Sequence, residues 1–397
     1  MRGALAPLLA LSAQAVRPAS GNADFDQGLS LLEAGRPAEA IPLLRRGFAA
    51  LPALPAAPFY LGRALLLAGD PREAREALER AARLAPLVPA VQTSLGEGAA
   101  AAGAFEQAER AFERAFELRP SDPAPLLLLG EMHLRRSVFA KAGEAFSRAA
   151  KVGEPGDVRA WRGLGEADLG RMDLPGAGAA FRRALAVGPR DGLSLYGLGM
   201  VLLRAGDLGG ARAALLEAEG ILRRDAGVAY ELGTLAARAK DPREAIRWFR
   251  ETLLRDPAHA GATHALGQTL LALGRTEEGR RTLERFRAKK PIFDAVFTAS
   301  LQAAAAPADP GLRESLVLYS FALGDLERAR RELEALGRLR PDWRGDGRLA
   351  AVGLCLEGRF EEALPRLRSA LGAGDPTARA ILEEVEARAA ARKDSAR

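Results

Sequence analysis

Large apolar side chains return along this chain on a fixed ruler. Leu44, Leu78, Phe112, Phe146, Phe181, Leu215, Phe249 and Leu283 each stand sixteen residues after a glycine, respectively Gly28, Gly62, Gly96, Gly130, Gly165, Gly199, Gly233 and Gly267. Those glycines are 34 residues apart, with one step of 35 that the Gly153-Glu154-Pro155-Gly156 loop explains. Twelve residues after each comes Ala40, Ala74, Ala108, Ala142, Ala177, Ala211 and Ala245, then Gly279. From the second glycine on, a Leu comes immediately before. Two later blocks carry Val317 and Ala351 in place of the glycine and keep Ala329 and Ala363. Pro52, Pro86, Pro120, Pro189, Pro257, Pro291 and Pro341 close most units. Such self-similarity marks a repeat array whose units bury their apolar faces only against each other.

Within a unit the pattern predicts two helices. The first starts about four residues after the closing Pro and ends at a turn near Gly35, Gly69, Gly103, Gly206, Gly274, Gly324 or Gly358. The second follows at once, with Asp70-Pro71 and Asp241-Pro242 as start signals. The Leu-Gly pair falls mid-helix, where Gly costs up to about 1 kcal/mol against Ala. Close approach of the paired helix offsets that cost. The small residue twelve positions on lies at the same seam, and the bulky one shares its face and packs towards the next unit.

Between Gly267 and Val317 the ruler is sixteen residues too long. The excess holds Phe293, Val296, Phe297 and Leu301 at helical spacing, then Pro307-Ala308-Asp309-Pro310. It predicts an extra helix and a hinge, or a degenerate unit. The expected organisation is a leader or tail at 1–20, eight units at 21–291, the extra helix and hinge at 292–309, and two more units at 310–376. A capping helix and tail follow at 377–397, with Ile381, Leu382 and Val385 inward.

The succession of Leu-Gly, Ala-x-x-x-Phe and closing Pro resembles the tetratricopeptide repeat, over about ten units between Gly21 and Pro376. There are departures. The opening aromatic survives only at Trp161, and the next is replaced by Leu31, Leu65, His133 or Asp168. The resemblance implies an all-α, right-handed superhelical solenoid of antiparallel helix pairs. Its concave groove would be lined by first-helix residues at repeat positions 2, 5, 9, 12 and 13. Position 5 brings Phe59, Leu127, Arg162, Tyr196, Tyr230 and His264; position 9 brings Arg63, Glu97, Glu131, Glu166 and Met200; position 13 brings Arg135, Arg204 and Arg238. These positions vary from unit to unit while the seam positions repeat, as a binding surface requires. The implied function is a scaffold that holds another protein, as an extended peptide or a partner helix. The Lys and Asn clamp that some family members close on a peptide's C-terminal carboxylate has no counterpart in this row of Glu, Arg and Leu. Self-assembly through open ends, and a hydrolase or transferase working through groove carboxylates, are the alternatives.

Composition narrows this further. Of 397 residues, 83 are Ala and only 6% are aromatic, so helix formers dominate and strand formers are scarce. The net charge is +6, but 51 of the 57 basic residues are Arg and most stand beside Glu at helical spacing, as in Pro71-Arg72-Glu73-Ala74-Arg75-Glu76. There is no long basic run and no basic strand studded with aromatics, so nucleic acid is not an expected partner. No apolar run reaches the roughly 20 residues of a transmembrane helix. Met1-Arg2, then Ala4 to Leu11, then Ala13-Gln14-Ala15 have the layout of a secretory leader cleaved after Ala15. A periplasmic or secreted location is therefore expected, with a cytoplasmic chain bearing an Ala-rich tail as the alternative.

Candidate chemistry is sparse. Gly163-Leu164-Gly165 and Gly197-Leu198-Gly199 resemble pieces of a dinucleotide fingerprint but lie inside helices and lack the third glycine. His133 falls at a core position, and His259 lies in a loop five residues from His264, which is not a one-face ligand spacing. Cys355 stands alone in a helix and reads as a small buried apolar residue. No cofactor, metal or catalytic group is expected.

Overall fold

A computed structural model describes residues 21–152, 157–306, 309–342, 347–370 and 376–395. The leader expected at 1–20, the loop around Glu154 and the dipeptide Pro307-Ala308 lie outside the described residues. Among the described residues there is no strand, and the helices follow one another as pairs. These are α1 (Ala23–Glu33) and α2 (Pro37–Ala50), α3 (Ala56–Ala68) and α4 (Pro71–Leu84), α5 (Pro89–Ala101) and α6 (Phe105–Leu118), α7 (Ala124–Arg135) and α8 (Phe139–Ala150). Next come α9 (Val158–Gly170) and α10 (Leu174–Val187), α11 (Gly192–Ala205) and α12 (Leu208–Ile221), α13 (Ala226–Arg238) and α14 (Pro242–Arg255), α15 (Ala260–Ala272) and α16 (Thr276–Ala305). The last are α17 (Pro310–Leu323) and α18 (Leu326–Leu339), α19 (Gly347–Leu356) and α20 (Phe360–Ala370), and the single α21 (Pro376–Ser395). The chain forms two compact units, Met1–Gly163 with Ala305–Ala308, and Leu164–Ala304 with Asp309–Arg397. Within each, helices pack in chain order: α1 on α2, α2 on α3, α3 on α4 and onward in the first, α10 on α11 and onward in the second.

Local chemistry starts and stops these helices. Asp70, Asp173, Asp207, Asp241 and Asp325 precede the second helices, and each side chain accepts the backbone N–H three residues on. That satisfies one donor the helix would otherwise leave open. The turn inside each pair needs one left-handed residue. Gly supplies it at Gly35, Gly69, Gly103, Gly206, Gly274, Gly324 and Gly358, whereas Ser137, Met172 and Lys240 adopt φ of 58°, 63° and 62° at the same place.

The seam explains the ruler. Ala40, Ala74, Ala108, Ala142, Ala177, Ala211, Ala245, Ala329 and Ala363 are all completely buried. The bulky residue four positions on lies directly over its own unit's glycine. A Cβ on Gly96 would stand 2.5 Å from Phe112, on Gly130 2.7 Å from Phe146, and on Gly233 2.6 Å from Phe249. The sequence reading sent this residue towards the next unit, and that is the second half of its role. Leu78 also reaches Gly98, and Phe146 also reaches Gly163, where a Cβ would come within 2.8 Å and 2.5 Å. The Gly-x-Gly fragments follow from this: Gly163 receives the preceding unit's Phe146 and Gly165 its own unit's Phe181.

Charged pairs join successive second helices on the outside, among them Lys141–Glu109 at 2.8 Å, Arg148–Glu113 at 2.6 Å and Arg212–Glu244 at 3.1 Å. Exposed pairs of this kind add at most about 1 kcal/mol each.

One expectation needs correcting. Instead of a unit closing at Pro291 with a separate helix at 292–309, α16 runs unbroken through 30 residues with Pro291 inside it. Pro291 cannot donate to the Arg287 carbonyl, a defect of about 3 kcal/mol. Packing on both sides outweighs it. Phe286 and Phe293 stack across the proline at 5.9 Å, and Ile292, Ala299 and Ala303 are buried.

Candidate functional site

The first helices carry the candidate residues, and the structure sorts them into three kinds. Phe59 and Leu127 are core: they are 0% and 2% exposed, so position 5 in these units supplies packing and no ligand contact. That corrects their expected place in the groove. Phe59 packs in one cluster with Phe25, Tyr60 and Leu61, so its ring is spent on the core. Arg135, Glu166, Arg204 and Arg238 are exposed. Glu97, Glu131, Arg162, Tyr196, Met200, Tyr230 and His264 lie between, half-buried.

In the first unit Arg63, Glu97 and Glu131 come together from α3, α5 and α7. Arg63 is only 5% exposed, and its guanidinium lies 5.6 Å from the centroid of the Phe59 ring. Burial pulls its pKa down while Glu97 and the Tyr60 hydroxyl oppose that shift. Burial pushes the Glu97 carboxyl up to about 7; Arg63 works against this and Glu131 adds to it. Farther along, Arg159 holds Asp157 through Nε at 3.1 Å and Nη2 at 2.6 Å. Burial would raise the Asp157 pKa, but the hydrogen bonds from Arg159 and the charge of Arg162 bring it below the usual range. Glu131 in turn raises the Arg159 pKa, although its hydrogen bond to Asp157 is the main cause. The result is a row of partly buried charges in which the acids Glu97 and Glu131 stand together between Arg63 and Arg159.

In the second unit the candidates gather around Glu231. Burial raises its pKa while Arg204 and Arg238 oppose the shift. The Tyr196 hydroxyl is held well above its ordinary pKa by burial and by Glu231 and Asp225. Arg238 Nη1 donates to the Leu203 carbonyl at 2.7 Å, so it caps α11 as well as facing the site. Tyr196 and Tyr230 reach over the starts of the next first helices. A Cβ on Gly227 would stand 2.8 Å from the Tyr196 hydroxyl and one on Gly261 3.0 Å from that of Tyr230. Tyr230 packs on the His259 ring with centroids 4.5 Å apart and His264 on that of Phe286 at 4.9 Å, both pairs tilted. The His259 ring caps α15 through Nδ1, which accepts the Ala262 N–H at 3.0 Å.

Sequence reasoning missed Arg159, Glu231 and this capping role of His259. Arg159 occupies repeat position 2, so a signal existed. Glu231 sits at position 6, outside the stripe, and only the packed neighbours turn it inward. His133 is core, 2% exposed, and burial holds the Cys355 thiol up to about 12, far from a reactive thiolate. Among the described residues no group of three or more His, Cys, Asp or Glu could hold a metal ion, and no helix is long and apolar enough to cross a membrane.

One family model described as tetratricopeptide repeat matches residues 31–97 and 236–296, and a second of the same description matches 93–154, 134–185 and 164–229. No curated protein sequence matches the chain significantly. A tetratricopeptide repeat protein from Parabacteroides merdae is 16% identical, with a TM-score of 0.49 over 64% of this chain and 100% of its own. YrrB, described as a TPR protein with an unusual peptide-binding site, is 19% identical, with a TM-score of 0.40 over 48% of this chain and 98% of its own. PilW, described as a type IV pilus biogenesis factor, is 18% identical, with a TM-score of 0.46 over 53% and 98%. The two family models together reach well over half of the residues, on the same ruler that sets the glycines over their phenylalanines, and the chain belongs to the tetratricopeptide-repeat family.

Proposed function

We propose that the protein is a non-catalytic scaffold that binds an extended peptide or a partner helix along the inner stripe of its first helices. One observation carries this reading. The seam positions hold the same residue types in repeat after repeat, whereas the stripe varies, with the partly buried charges Arg63, Glu97 and Glu131 concentrated in the first compact unit. Arg63 and Glu97 partly offset each other's burial, and a partner carrying complementary charge would offset more of it. Aromatic and Arg side chains at Tyr196, Tyr230, Arg204 and Arg238 are the residue types that dominate protein interfaces. The leader-like first fifteen residues support an envelope or secreted setting, which N-terminal sequencing of the mature protein tests: it should begin at Val16.

The binding test is a peptide display selection on the full chain, followed by titration of the selected peptides against Glu97→Lys with Glu131→Lys. The expected result is a loss of at least about tenfold in affinity, read at a temperature where circular dichroism shows the variant still folded. Equal affinity for the variant, or a selection that returns no sequence preference, would remove the groove from the account.

A further inference from the structure

The ninth repeat breaks the rule of the stripe. Its positions 9, 12 and 13 are Leu318, Phe321 and Ala322, all apolar and 8%, 0% and 0% exposed. Position 13 holds the exposed Arg135, Arg204 and Arg238 in three other repeats and smaller or apolar residues such as Leu67, Ala101 and Ala272 in others, so it is the full burial of all three positions that sets the ninth apart from the repeats before it. Something covers the ninth repeat's stripe, and it is α21. This helix packs against α17 and α20, and its Ile381 and Val385 are fully buried in one cluster with Leu318, Phe321 and Ala322. It packs against the second helix before it and also lies on α17. Charge is matched as well as shape. Lys289 of α16 donates to the Ala322 carbonyl at 3.1 Å and interacts with Glu383 and Glu384 of α21. Glu384 lies beside Gly324, where a Cβ would be 3.3 Å from its carboxylate, and Arg368 of α20 pairs with Glu386 at 2.9 Å.

We propose that the inner stripe of the ninth repeat is a seat for an amphipathic helix, held in this structure by α21, and that a partner helix of α21's own pattern takes its place. That pattern is a pair of aliphatic residues four apart with an acidic pair beside them. The proposal rests on the reading of the inner stripe as the binding face, and it assigns this part of the stripe a helix where the charged rows of the other repeats suit a peptide. The anchor is slight enough for exchange. Among the described residues of α21 four side chains are buried, two of them the methyl groups of Ala378 and Ala380, and Leu382 packs beside them half-buried. Arg368–Glu386 is an exposed pair that adds little.

The test uses the full chain and a fluorescein-labelled peptide of residues 376–395. Ile381→Asp with Val385→Asp releases α21 and opens the seat. The peptide should bind this variant at least about tenfold more tightly than wild type, since occupancy in cis lowers apparent affinity by the fraction of open seats. Lys289→Glu in the released chain should weaken the peptide, and a peptide carrying Glu383→Lys and Glu384→Lys should recover it. Amide exchange on wild type is an independent reading: α21 should open at a lower free energy than α17 and α18. Equal affinity for wild type and released chains overturns the proposal, as does exchange of α21 only together with α17. Concentration-dependent dimers of wild type that the released variant cannot form would give the seat to a second copy's α21 and likewise overturn the partner assignment. None of these readouts touches Glu97, Glu131 or the selected peptides, so this proposal and the groove reading fail separately.

Discussion

At the residue scale, one substitution has opposite signs at two glycines. Gly130 sits mid-helix under Phe146, and Gly220 sits in α12 with nothing within 4 Å of its missing Cβ. Gly220→Ala should raise stability by about 0.5–1 kcal/mol through helix propensity alone. Gly130→Ala gains the same propensity but drives a methyl into a buried ring, and should lower stability by about 1–3 kcal/mol. Denaturant midpoints of the two variants decide the matter. Glu97 gives a second prediction. Its folded pKa, about 7, is raised above the unfolded value near 4.5. The folded state then holds the proton more tightly, so the associated stability is present below pH 4.5 and is lost as pH rises through 7. Glu97→Gln should flatten the stability profile across that window, by something of order 1–3 kcal/mol between its ends. A wild-type profile that rises from pH 5 to 8 by as much as the variant's would mean that Glu97 ionises freely.

At the scale of the element, the turn between paired helices is where the sequence deviates from its own best solution. Met172 takes a left-handed φ of 63° with its side chain 67% exposed, in a place where seven other units use Gly. Met172→Gly should stabilise the chain by roughly 0.5–1 kcal/mol, the relief of backbone strain less the entropy glycine adds to the unfolded state. Its melting temperature should rise; a fall would mean that the exposed methionine makes a contact worth keeping. α16 teaches the converse lesson. Proline is the strongest stop signal in the sequence, yet the helix passes through Pro291 because Phe286, Ile292 and Phe293 bury apolar surface on both sides of it. A local signal worth about 3 kcal/mol loses to packing of several side chains.

At the scale of the whole molecule, neighbour-to-neighbour packing makes stability local. Ala211 is completely buried at the seam of α11 and α12. Ala211→Leu should overpack that seam, and the resulting loss of amide protection should fall on α10 to α14 while α17 to α20 keep theirs. Uniform loss across all of these helices would show that the second unit opens as one body. The same locality explains how much of the protein was legible beforehand. Helix pairs, the seam and the aspartate start signals can all be read from spacing, because each depends on residues within one or two units. The charged cluster was half legible: Arg63, Glu97 and Glu131 lie on the stripe, and so does Arg159 at position 2, while Glu231 joins its group only after packing. Phe59 and Leu127 were misread as groove residues because a stripe position says which way a helix faces and not how deeply its neighbours bury it.

The chain by itself determined that there are helix pairs, about where each begins, and that small residues must face large ones at a 34-residue interval. It could do so because periodicity and steric fit are properties of adjacent stretches. Only the tertiary structure decided that Pro291 is passed over, that Glu97 is held near neutrality, and that α21 lies on α17. Each of these depends on desolvation and contact area summed over helices distant in sequence, and no spacing rule carries that sum.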